Sequence, residues 1–226
     1  MNGSREYEKV IDYILRKIEL RELEIGSGLP SERQISAELG IGRNSVREGL
    51  RTLENMWVVT SHQGSGNYIS GDMSKSFIQG FNMMVLLRAI TMKEITEFRR
   101  STELALYELA FQNSAKRREL LEMGQVLADF ENNSLEEQIS LDNNFHFLLV
   151  SMANNTMLSM IMNTISEVYG KWVANVIRLA SPEERRKLHQ AHEKIYGSLI
   201  ILDKVAGLKA IEDHYLTIDA IAQRIN

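Results

Sequence analysis

The chain has five histidines, four of them in its C-terminal half. Three of these, His146, His192 and His214, can be grouped with one carboxylate, Asp142. Asp142 and His146 are four residues apart, which puts both on one face of a helix. His192 and His214 lie on either side of a break near residue 204. Two antiparallel helices joined by a short turn would bring their rings close. Three imidazoles and a carboxylate suit Zn²⁺, Ni²⁺ or a similar divalent transition metal. If such a set leaves coordination positions open, a carboxylate-bearing metabolite can complete them. Spacing alone also admits a plainer reading, in which each histidine packs or caps and Asp142 and His146 share a surface hydrogen bond. No cysteine occurs, so thiolate metal sites, disulfides and cysteine nucleophiles are excluded.

A second set is basic. Arg43, Asn44 and Arg47 follow a Gly40-Ile41-Gly42 turn, with Ser45 placed to bind phosphate and Arg33 on the preceding segment. Arginine near a helix N-terminus suits the DNA major groove, because its planar fork donates two bonds to guanine O6 and N7. Gly64-Ser65-Gly66, preceded by Gln63, forms a tip that can approach the minor groove. Arginines along a helix also occur simply because that face is solvated. As a phosphate loop the glycine tip fails, having neither the GxGxxG spacing nor a Walker lysine. The net charge of −4 argues against a protein that coats nucleic acid without specificity, but allows a small basic face on an acidic body.

Periodicity says what must position these residues. Residues 5–23 read as an amphipathic helix through Val10, Ile11, Ile14, Leu15 and Ile18, followed by a loop at 24–28. Ser31 and Gln34 form a capping box for a helix over 31–39, which Gly40 stops. The next helix, 43–56, has an apolar face of Val46, Leu50, Leu53 and Trp57. The period then changes: Val58–Thr60 and Asn67–Ile69 flank a glycine-containing turn and read as a hairpin. Residues 70–80 read as a linker. Helices are expected over 77–89, 91–113, 115–131, 134–153, 156–178, 182–203 and 205–225, with breaks at Asn154-Asn155 and Ser181-Pro182. The fold is therefore mainly α. Residues 1–72 are read as a winged helix-turn-helix of three helices plus a β-hairpin wing, and residues 77–226 as an all-α antiparallel helical bundle. No run of about 18 apolar residues and no N-terminal apolar h-region occur, so the expectation is a cytoplasmic protein without a membrane partner.

LPSERQISAELGIGRNSVREGLRTLE, followed by HQGSGNYI, resembles the signature of the GntR family of bacterial regulators. The matching elements are the L-P-S-E-R entry, the L-G-I-x-R turn, the V-R-x-x-L-x-x-L-E helix and the Q-G-S-G tip. This resemblance implies that Arg33, Arg43 and Arg47 contact DNA, with Asn44 and Ser45 as small polar phosphate contacts and Gln63 and Gly64 in the wing. Gly42 stands where serine or threonine is usual, and His62 where the wing often has arginine. The C-terminal part resembles the FCD domain of the FadR subfamily. The resemblance rests on Arg99-Arg100-Ser101-Thr102-Glu103, D-x-x-F-H at 142–146, the asparagines at 154–155, H-x-x-I at 192–195 and His214. It implies that Asp142, His146, His192 and His214 hold a metal. It also implies that Arg99, or else Arg100, pairs with an effector carboxylate. His189 lies outside the shared pattern.

The expected function is a ligand-responsive DNA-binding transcription regulator, acting as a repressor and not as an enzyme. Its partners would be an inverted-repeat operator in double-stranded DNA, a small organic acid and a second copy in a homodimer. The alternative is a metal-dependent hydrolase or lyase fused to a DNA-binding head, since a three-histidine, one-carboxylate site can activate water.

Overall fold

A computed structural model describes residues 5–71, 74–113, 117–128 and 133–224. The chain divides into two compact units, residues 1–80 and 81–226.

The first unit holds α1 (Glu6–Glu19), α2 (Glu32–Leu39), α3 (Arg43–Asn55) and a hairpin of β1 (Val59–His62) and β2 (Gly66–Ile69). Local chemistry sets each boundary. Ser31 Oγ accepts from the Gln34 amide, and Gln34 Oε1 accepts from the Ser31 amide, closing the capping box that starts α2. Gly40 ends α2 with φ +64°, a conformation that costs glycine nothing. Val10 and Ile14 of α1 meet Ile35 of α2 and Val46, Leu50 and Leu53 of α3, and Val59 and Ile69 close the core from the hairpin. Gly49 lets α1 and α3 approach closely: a Cβ there would lie 2.6 Å from Val10 Cβ. The strands pair antiparallel, with Val59 opposite Ile69 and His62 opposite Gly66. The loop before α2 also joins this edge, since the Leu29 amide donates to the Asn67 carbonyl at 2.8 Å.

Two local expectations change here. Trp57 is not part of the α3 face, because the helix ends first and Trp57 takes φ +59°. The expected linker over 70–80 is largely helix, as α4 (Ser74–Leu86) begins inside it, while Asp72 lies outside the described residues. Serine and lysine made this stretch look like a loop, yet no glycine or proline stands between Ser74 and Gln79 to stop a helix. Its first turn is also anchored: Ser76 Oγ donates to the Met56 carbonyl at 2.8 Å, and Lys75 Nζ lies 4.3 Å over the Trp57 ring.

The second unit is all helix among its described residues. It contains α5 (Met92–Gln112), α6 (Arg117–Leu127), α7 (Leu135–Met152), α8 (Thr156–Leu179), α9 (Pro182–Ile201) and α10 (Lys204–Ala222). The expected helix over 115–131 corresponds to α6, although residues 115, 116 and 129–131 lie outside the described ones. Thr91, Ser134 and Ser181 each cap a helix in a box with the glutamate three residues on. Tyr107, Phe145, Leu149, Ile195, Leu199 and Ile211 form the largest core. They bring α5, α7, α9 and α10 side by side around one buried polar centre.

Candidate functional site

Asp142 and His146 project from successive turns of α7, His192 from α9 and His214 from α10. Each offers one donor atom, and the four atoms lie within 4.8 Å of one another. His146 Nε2 is 4.0 Å and His192 Nε2 is 3.6 Å from the Asp142 oxygens. Those distances are too long for hydrogen bonds. They match the roughly 3–4 Å spacing of ligands that share an ion at about 2 Å. Ring centroids of the three imidazoles are 4.6–5.1 Å apart, and Phe145 stacks on His192 at 4.3 Å. All four residues are buried.

Electrostatics test whether the set fits a cation. Burial, reinforced by the neighbouring imidazoles, drives His192 well below its usual range, and burial followed by His146 takes His214 down to about 3. Both rings are therefore neutral near pH 7 and keep a lone pair, the form that binds metal. His192 Nε2 and His214 Nδ1 are buried without a hydrogen-bond partner among the described residues. Orphaned buried polar atoms cost about 1–3 kcal/mol each, a cost that coordination removes. Burial raises the Asp142 carboxyl, partly offset by His146 and Arg99. A divalent ion of Zn²⁺ or Ni²⁺ type fits this donor set.

Glu103 on α5 joins the centre, and the spacing argument assigned it no role. It is 2% exposed, and its two oxygens accept from His146 Nδ1 and from the Tyr215 hydroxyl. Burial opposes its charge, but the His146 charge and hydrogen bond, with Arg99, outweigh burial and hold it down to about 2. Its sequence signal was the four-residue spacing from Arg99, which places the two on one face of α5.

The two arginines separate. Arg99 is 5% exposed and its guanidinium lies 4.7 Å over the Tyr169 ring. Among the described residues it forms no ion pair, and its Nε has no hydrogen-bond partner. With Asp142, His146, Tyr169, His214 and Tyr215 it lines a pocket that has room for about one water. Burial pushes the Tyr169 hydroxyl up to about 12, so it stays protonated, within 2.7 Å of Thr96 Oγ1. Arg100 is instead paired with Asp219 and does not line this pocket. A second pocket, bordered by Leu127, Leu141, Ile177 and Leu188, also touches Asp142 and His192, with His189 at its edge.

The buried groups give metal-free protein a pH dependence. His192 and His214 take up protons near pH 6.5 only when unfolded. Between pH 6.5 and about 3 the unfolded state thus binds more protons, and stability falls as the pH drops. Glu103 adds the same sign between 4.5 and about 2. Asp142, raised in the fold, opposes them, and His146, also raised, acts above its usual 6.5. The thermal midpoint of chelator-treated protein should fall on acidification from about pH 6.5 to about pH 4. A flat profile over that range would contradict this balance of charges.

On the first unit, Arg33, Arg43, Asn44 and Arg47 are exposed on α2 and α3. Arg47 Nε donates to Glu32 at 2.8 Å. Ser45 is placed differently from the other polar residues of α3, since its hydroxyl donates to Glu6 of α1 at 2.6 Å. Gly42 is the N-cap of α3 and supplies no side-chain bond. Gln63 and Gly64 are exposed at the hairpin turn, where Gly64 and Gly66 take φ +78° and +107°. His62 contacts Tyr68 edge to face at 5.3 Å. Two arginines and an asparagine thus stand exposed on the first two turns of α3, and the wing turn of the same unit is exposed as well.

Comparison with known proteins assigns both units. Residues 6–69 match the profile of bacterial regulatory proteins of the gntR family, and residues 94–217 match the FCD domain. The chain is 26% identical over 192 residues to the uncharacterized HTH-type transcriptional regulator YcbG of Bacillus subtilis, covering 85% of this chain and 79% of that one. It is 24% identical over 222 residues to the Glc operon transcriptional activator of Escherichia coli, covering 93% and 86%. A solved Streptococcus agalactiae GntR structure shares the fold, with a TM-score of 0.64 at 22% identity over 94% of this chain and 98% of that one.

Proposed function

Since this chain belongs to the GntR family of bacterial transcription regulators and carries an FCD domain, we propose that it is a metal-dependent, organic-acid-responsive repressor. GntR-family regulators bind DNA, and the enzyme alternative is set aside with the family. The observation that carries the proposal is the buried Asp142, His146, His192 and His214 cluster beside Arg99, a buried cation with no ion pair among the described residues.

In this reading the four residues hold a divalent ion, which supplies Lewis acidity toward a ligand oxygen. Arg99 binds the ligand carboxylate, and the Tyr169 hydroxyl, protonated at working pH, can donate to it. The pocket has room for about one water, so an organic acid enters only if helices shift. That requirement links ligand to conformation, because the ligand favours whichever packing opens the pocket. The chain acts as a homodimer, whose two-fold symmetry mirrors an inverted-repeat operator. Arg33, Arg43, Asn44, Ser45, Arg47, Gln63 and Gly64 make the DNA contacts, with Ser45 exchanging its Glu6 partner for phosphate.

The test is a thermal-shift screen of small organic acids, with and without divalent metal, followed by gel shifts on genomic fragments selected for binding. A true effector at about 100 times its Kd should stabilise the protein by about 2.7 kcal/mol. It should do so only when metal is present, and should release the bound fragment. Acid binding that ignores both metal and Arg99 would refute the proposed site. Since one relative is named as an activator, transcription with and without the acid decides the sign of control.

A further inference from the structure

Two carboxylates lie in the buried centre, but only Asp142 belongs to the four-donor set. Glu103 is more deeply buried and has both oxygens engaged, one by His146 Nδ1 and the other by the Tyr215 hydroxyl. An ionised carboxylate only accepts hydrogen bonds. The proton between Glu103 and His146 is therefore held on Nδ1, which leaves the lone pair of the neutral ring on Nε2. Nε2 is the nitrogen that faces Asp142. The second bond acts on another ligand, since Tyr215 immediately follows His214 on α10. One side chain on α5 thus orients a donor on α7 and anchors the α10 turn that carries a second donor.

We propose that Glu103 is the positioning residue of the metal centre, selecting the Nε2-donating tautomer of His146 and fixing the place of His214 without touching the ion. This rests on the metal reading of the cluster. A carboxylate accepting from the far nitrogen of a ligating imidazole makes the ring more basic and restricts its rotation, and loss of such partners typically costs 10–100-fold in metal affinity.

The experiment uses the full chain, stripped of metal and titrated with Zn²⁺ against a chromophoric chelator, then with Co²⁺ to record its d–d bands. Wild type is expected to bind one equivalent. Glu103→Gln should bind Zn²⁺ about 10–100-fold more weakly and shift the Co²⁺ bands. Tyr215→Phe keeps the His146 bond and should lose much less, whereas a merely structural role would make both variants behave alike. Nitrogen chemical shifts of His146 in metal-free wild type, recorded at a pH above the ring's raised titration, give a reading that does not depend on a variant folding, with the Nδ1–H tautomer expected. The Nε2–H tautomer, or wild-type affinity and bands in Glu103→Gln, would overturn the proposal while leaving the metal reading intact. Wild-type protein that binds no stoichiometric metal would overturn both.

Discussion

Replacing His192 by phenylalanine is expected to abolish stoichiometric metal binding and the response to organic acid, yet leave the metal-free chain at least as stable as wild type. The ring of His192 stacks on Phe145 at 4.3 Å, and its Nε2 is buried with no hydrogen-bond partner among the described residues. Phenylalanine preserves the stacking and removes the unsatisfied nitrogen. Eliminating a buried orphan of this kind recovers up to about 1–3 kcal/mol. It also removes the penalty of keeping a buried imidazole neutral in acid, so the acid side of the stability profile should flatten. Metal loss alone would follow from any damage to the bundle. The informative result is metal loss together with undiminished stability, because only a side chain retained for its donor atom behaves that way. Metal analysis of purified protein and thermal melts with and without chelator measure both quantities. Retained metal would remove His192 from the donor set, and a marked loss of stability would assign it a packing role instead.

The second large effect is on DNA. Arg43→Ala and Arg47→Ala should each weaken specific operator binding by about 1–3 kcal/mol, at fixed salt, if each makes a bidentate base contact. Arg47 is already oriented by Glu32 at 2.8 Å. That pair is largely solvated, so exchanging it for a guanine edge costs no more than about 1 kcal/mol. Arg33, on the preceding helix, should behave differently if it contacts phosphate. Its alanine variant would then bind all sequences more weakly and show a salt dependence reduced by about one phosphate contact. Gel-shift titrations on operator and scrambled DNA at several salt concentrations separate the two behaviours. Unchanged operator affinity in Arg43→Ala or Arg47→Ala would remove that residue from base recognition.

Much of this protein was legible in one dimension. The capping box at Ser31 and Gln34, the left-handed Gly40 and the apolar spacing through Val46, Leu50 and Leu53 act within a few residues, and each leaves a direct trace in the sequence. The exposed arginines of α3 follow from the same periodicity. Asp142 and His146 share a face by helical geometry alone. Local signals failed where composition stood in for physics: serines and lysine at 74–76 read as linker, but with no breaker the helix began there.

Helix packing settled which distant residues meet. Spacing left His192 and His214 as candidates, and the packing of α9 against α10 beside α7 set their rings 4.6 Å apart. Arg99 and Arg100 are neighbours in sequence but about 100° apart around a helix. One faces the buried pocket and the other reaches Asp219, a choice made by the rotation of α5 in the bundle. Glu103 lay within the motif shared with the FCD domain and four residues from Arg99, but nothing local marked its partners, which lie 43 and 112 residues away. Hydrogen bonds over such separations exist only once the apolar faces have docked. The helices, their faces and the exposed arginines of α3 were legible locally, because those depend on contacts within a turn or two. The four-donor centre and the carboxylate that orders it depended on how four amphipathic helices pack, which no local pattern encodes.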